Sequence, residues 1–215
     1  MAGILLGGTN IANLSLGTTP ILRVSLGTDL IWPAFIPVPT QITTAGAYTY
    51  NIPSGCSFID VILLSAGGGG MGMGFATAWG EGGYPGNWLA FTLRRGIDIP
   101  MGTLAITGTV GAGGAAGAGG LGGGPGGNGG NTTAVATGMT TRTAIGGLGG
   151  TARNLAFGGR AAGDQVWNNR TYTGGGLQAG PSGAGLPPGG GGAGATVSVI
   201  AGGAGAIGSA WFYAY

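Results

Sequence analysis

Asp60, Glu81, Asp98 and Asp164 are the side chains from which acid–base chemistry could be assembled in this chain. Two such carboxylates would serve glycoside hydrolysis, one as general acid and the other as base or nucleophile. Nothing in their spacing selects a pair. The other reactive groups are scarce: the 215 residues hold no His, no Lys and a single Cys, Cys56. Zinc sites and Cys–His catalysis need ligands and bases that are absent here, and a lone Cys forms no intrachain disulfide. Cys56, beside Phe58 and Ile59, reads as a small buried apolar residue.

Two segments, Gly117–Gly122 and Gly203–Gly208, match G-x-G-x-x-G. A dinucleotide site also needs a following helix and an acid about 20 residues on. Neither segment has them, so both matches follow from glycine abundance. The expectation is a protein without catalytic activity, cofactor or metal.

One segment does carry recognition chemistry. Asp164 to Tyr172 reads DQVWNNRTY between glycines. Aromatic faces beside Asn, Gln and Arg donors suit a sugar-binding surface, through ring stacking and directed hydrogen bonds. The candidate receptor- or glycan-binding residues are therefore Trp167, Asn168, Asn169, Arg170 and Tyr172. Trp79 and Tyr84, in WGEGGY, form a thinner second candidate. The competing reading is that these aromatics pin a loop onto the fold.

The elements that must position these groups are strands. Alternating or β-branched runs predict strands over 47–53, 58–65, 87–94, 103–107, 131–136, 142–145 and 210–215. No segment carries an apolar period of 3.6, which predicts very low helix content. Between the strands lie glycine tracts at 67–74, 80–86, 108–130, 146–150, 174–194 and 202–208. They are too long for ordinary turns.

Gly and Pro number 56 and 11, a level typical of disordered chains. Disorder also needs low hydrophobicity and high charge, whereas this chain is 43% hydrophobic and 6% charged. An ordered fold that depends on backbone packing is expected. From Gly108 to Gly129 every third residue is glycine. Three residues per turn is the period of polyproline II geometry, in which the backbone of glycine is reachable from all sides. The expected fold is all-β: a short N-terminal β-repeat module, then a glycine-rich β-sandwich whose long tracts pack as polyglycine II helices rather than hang as flexible loops.

A ten-residue repeat opens the chain. Leu6, Leu16 and Leu26 recur with Gly7, Gly17 and Gly27, and with Ile11, Ile21 and Ile31. Each unit reads as strand, turn, strand, and three units are too small to close a core. Residues 1–32 are expected to dock or trimerise the protein by stacking those Leu and Ile columns. Residues 33–39, with three prolines, form an extended linker, and 40–215 form the glycine-rich domain. The seven Arg are scattered and the net charge is +2, which excludes a nucleic-acid binder. No apolar run long enough to span a membrane is present. The start, MAGILLGGTN, lacks a basic region and a long apolar core, so a signal peptide is not expected.

The run from Thr44 to Gly70, TAGAYTYNIPSGCSFIDVILLSAGGGG, resembles the glycine-rich domain of phage tail proteins. Leu104–Gly114 and Thr143–Gly150 are similar to further segments of that family. The N-terminal LGT repeats ending in Leu30-Ile31-Trp32 resemble the start of minor tail proteins of phages infecting mycobacteria and related actinobacteria. The resemblance implies a virion component at the tail tip or on fibres, often trimeric and in some cases an adhesin. It implies other tail proteins and a host surface glycan or glycolipid as partners, and it brings no catalytic residues. The alternative is a purely architectural tail or capsid decoration subunit without receptor binding.

Overall fold

The computed structural model describes residues 35–215 except Asn154 and, within residues 1–34, the backbone of six short strands. The protein is all-β, and its named strands pair antiparallel throughout. The N-terminal strands form three hairpins: β1 (Leu5–Leu6) with β2 (Thr9–Asn10), β3 (Leu14–Leu16) with β4 (Thr19–Ile21), and β5 (Val24–Leu26) with β6 (Asp29–Trp32). Of the six residues expected at an oligomer interface, Ile11 lies outside the described residues. Leu6, Leu16, Leu26, Ile21 and Ile31 are described through their strands only.

Two four-stranded sheets follow. One has the order β10 (Trp88–Arg94), β9 (Phe58–Leu64), β16 (Ser209–Ala214), β7 (Val38–Ile42). The other runs β13 (Met139–Ala144), β12 (Thr132–Ala136), β11 (Ala105–Val110), β8 (Gly46–Asn51). Alternate residues of each face one another across a shared core. Ile59, Val61, Leu63 and Phe212 meet Tyr48, Tyr50, Ile106 and Val110 there. Tyr50 stacks on Phe212 with ring centroids 4.1 Å apart. Cys56 is buried in the same core as a free thiol. Val38 and Pro39, read from sequence as the end of the linker, are the first residues of edge strand β7. A sheet tolerates proline on an edge.

At one end of the sandwich the strands run on into the glycine tracts. The tract 66–75 leaves β9 and is hydrogen-bonded on all sides. The N–H groups of residues 66, 69, 72 and 75 reach the carbonyls of Gly130, Gly127, Gly124 and Leu121. Those of 67, 70 and 73 reach Ala206, Gly203 and Ile200, and those of 68 and 71 reach Tyr84 and Glu81. The carbonyls do the same toward three further chain segments. Those of 66 and 69 accept from Gly147 and Gly150, those of 67 and 70 from Gly114 and Gly117, and those of 68 and 71 from Gly192 and Ala195. The partner changes with a period of three, the period of polyproline II geometry. A Cβ on Gly69 or Gly70 would overlap the carbonyl of Ala115 or Ala193, so glycine is required by close approach. Buried hydroxyls join the two parts: Thr132 Oγ1 donates to the Leu64 carbonyl (3.0 Å) and accepts from Gly111 N–H (3.1 Å).

Candidate functional site

The polar segment singled out in the sequence folds as a hairpin, β14 (Gln165–Trp167) with β15 (Arg170–Tyr172). Asn168 and Asn169 form its two-residue turn, with φ of 45° and 58°. Positive φ at both positions is the type I′ geometry that matches strand twist, and Asn tolerates it. The hairpin lies on the outer face of β9 and β16.

The anchor beneath it is Asp60, which is fully buried in β9. Its Oδ1 accepts from Thr92 Oγ1 (2.6 Å), Asn168 Nδ2 (2.8 Å) and the Tyr215 hydroxyl (3.4 Å). Its Oδ2 has no hydrogen-bond partner among the described residues, and Arg170 Nη1 stands 3.9 Å away. Trp167 Nε1 donates to Thr92 Oγ1 (3.2 Å). The Arg170 guanidinium lies over the Tyr213 ring, 3.4 Å from its centroid. Tyr172 is buried edge-on against Trp211, and its hydroxyl also lacks a partner among the described residues. Burial, first, and the nearby Asp60 charge push that phenol above its ordinary pKa.

Trp167, Asn168, Arg170 and Tyr172 are thus brought together, each with contacts to the sheet below, while Asn169 sits exposed at the turn. Tyr84 belongs to a separate network around Glu81, which is 3% exposed, and Trp79 lies outside that network. Glu81 takes an ion pair from Arg160 (3.0 Å), the Tyr84 hydroxyl (3.0 Å) and the amides of Thr151 and Ala152 (3.2 Å each). Burial raises the pKa of this carboxyl, and the hydrogen bonds outweigh it, leaving a net value below the ordinary one. Arg160 caps the Tyr84 ring at 3.5 Å. The Trp79 indole donates to the Leu155 carbonyl (2.8 Å), at the bundle end where Phe75 and Leu121 are exposed.

Sequence reasoning missed Asp60, Thr92 and Tyr213 as parts of this site. The available signal was a carboxylate in the middle of the apolar run FIDVILL. A buried charge demands partners from whatever packs on it. Beside the hairpin, between β15 and edge strand β7, runs an open groove of about 790 Å³, with Trp211 and Tyr213 of β16 in its floor. No group of three or more His, Cys, Asp or Glu able to hold a metal occurs among the described residues. No helix there is long and apolar enough to cross a membrane.

A family model described as a glycine-rich domain matches residues 43–215. The chain is 57% identical over 223 residues to the Gene 32 protein of Mycobacterium phage D29, with all of both chains covered. It is 56% identical over 220 residues to the Gene 32 protein of Mycobacterium phage L5, again over the whole of both.

Proposed function

The chain belongs to the glycine-rich domain family and has full-length relatives in mycobacteriophages; from that premise we propose that it is a structural virion protein of a phage tail, at the tip or on a fibre, that contacts the host envelope during adsorption. The observation that carries this reading is the bundle. A central tract bonded through its backbone to six other chain segments makes the glycine part a packed continuation of the sandwich. Such a body presents surfaces. In this reading the protein is not an enzyme and works outside the cell on the particle. The N-terminal hairpins attach it to other tail proteins and gather it into a homotrimer. The Arg170–Tyr172 flank faces a host glycan or glycolipid.

A second reading is favoured by the inward bonds of Trp167 and Asn168 to Thr92 and Asp60. In it the protein is an architectural tail or capsid decoration subunit, and the hairpin is packing. Immunogold electron microscopy of intact virions, with antibody to this chain, separates the two. Gold at the distal tail or fibre ends is the expected result. Gold along the tube or over the head selects the architectural reading, and particles without gold under accessible-epitope controls remove both.

A further inference from the structure

We propose that the groove between β7 and β15 is a binding site for a neutral, hydroxyl-rich oligosaccharide; this rests on the host-contact reading and names its ligand. At about 790 Å³ the groove has the size of a ligand site, roughly 300–1,000 Å³. Its lining is largely apolar, with Pro39, Pro188, Trp211 and Phe212, and its polar groups are uncharged apart from one: Thr40 and Gln41 on one side, Thr171 and Thr173 on the other. Gln41 is held in place by the hydrogen bond that its Nε2 donates to Ser209 Oγ (3.2 Å).

Two observations mark the groove as a place for a hydrogen-bonding ligand. Tyr172 lines this groove, in a side chain that is 7% exposed and whose buried hydroxyl has no partner among the described residues. Buried polar groups in folded proteins are almost always bonded, so this one marks a place for a further donor or acceptor. Beside it the Arg170 guanidinium is pinned flat by the Tyr213 ring and reaches protein oxygen weakly, 3.4 Å to Asn168 O. A guanidinium held over a ring presents several N–H donors in a fixed fork, which hydroxyl oxygens can accept.

Charge decides the ligand class. The Asp60 carboxylate lies 3.9 Å from Arg170 Nη1, directly against the groove's one cation. With that charge offset, an anionic sugar or phosphate gains little and a neutral glycan loses nothing. An extended peptide is the other candidate for an edge strand. It would add to β7 through main-chain hydrogen bonds, and Pro39 removes an outward donor from that edge.

The test uses the full chain. Saturation-transfer NMR is run with neutral hexose and pentose oligosaccharides, their acidic counterparts and an alternating Thr-Val peptide. Fluorescently labelled protein is scored in parallel on mycobacterial cells. Tyr172→Phe and Thr171→Val/Thr173→Val are compared with wild type. The expected result is neutral-sugar binding that competes with cell binding and weakens about three- to tenfold in each variant. The Tyr172→Phe variant, relieved of an unpaired hydroxyl, melts no lower than wild type. Sugar binding that is absent, or unchanged in both variants, overturns the groove proposal; if labelled protein still binds cells, host contact stands without it. Preference for acidic sugars, or for the peptide, overturns the ligand class. Wild type that binds sugar but no cells overturns the host-contact reading alone.

Discussion

The sandwich and the glycine bundle solve one problem in opposite ways. Both are assemblies of extended chains whose backbone polar groups must be satisfied once buried. In the sandwich a strand bonds at most two neighbours, in one plane, and side chains such as Phe212 and Ile59 fill the space between planes. In the bundle the tract 66–75 bonds six neighbours around its axis, and the space between tracts is too small for a Cβ. A period of two leaves whole faces for side chains to cover; a period of three, at the glycines of this tract, leaves backbone against backbone. Stability therefore comes from buried apolar area in one half and from paired amides and the absence of side chains in the other.

The comparison breaks first at its strongest points. Phe212→Ala, which empties the stacked position against Tyr50, is expected to cost about 3–5 kcal/mol in urea unfolding. Gly70→Ala adds one methyl group to the bundle and is expected to cost about 2–4 kcal/mol, because the Ala193 carbonyl already occupies that space. A harmless Gly70→Ala would reduce the bundle to loose loops and erase the contrast.

Next comes pH, which distinguishes the halves by direction. Tyr50, in the sandwich core, has its pKa pushed up to about 12, first by burial and then by the neighbouring thiol. A raised folded pKa means its contribution is complete below the ordinary value of 10.0 and is lost as pH climbs from there through about 12. Glu81, among the tracts, is lowered on balance, so its contribution is complete above the ordinary 4.5 and lost as pH falls below it. Melting temperature across pH should therefore fall at both extremes, and Tyr50→Phe should lessen the alkaline limb, which buried Tyr48 shares, while leaving the acid limb unchanged. The smallest effect is reserved for Gly102→Ala, where a Cβ meets open space. Its change should stay within about 0.5 kcal/mol by the same unfolding assay.

The strands with apolar alternation were legible: β8, β9, β10 and β16 fall within a residue or a few of the runs that announce them. Strand β7 was hidden because Pro39 makes Val38–Ile42 read as linker, and only the pairing partner β16 identifies an edge that tolerates proline. The hairpin β14–β15 was read as a binding segment without its turn, although Asn168-Asn169 between two short strands is a type I′ signal. Four of the five hairpin residues, Trp167, Asn168, Arg170 and Tyr172, do converge. Asp60, which holds Asn168 and stands beside Arg170, lies 108 positions upstream of that asparagine, and such long-range contacts leave no local mark. The three-residue frame from Gly108 to Gly129 was visible, whereas the hub is the unframed 66–75. Backbone hydrogen bonds carry no side-chain signature, so nothing in its composition sets that tract above the others.

The crosswise hydrogen bonds of the bundle also have a mechanical meaning. They run perpendicular to the tracts they join, so a pull along the tract axis loads many of them side by side. Extended chains linked in this way resist in shear, where several bonds must give together, rather than opening one after another like a zip. The glycine half is then the stiff member of the molecule under tension, and a single-molecule pulling trace should show it yielding in one high-force event.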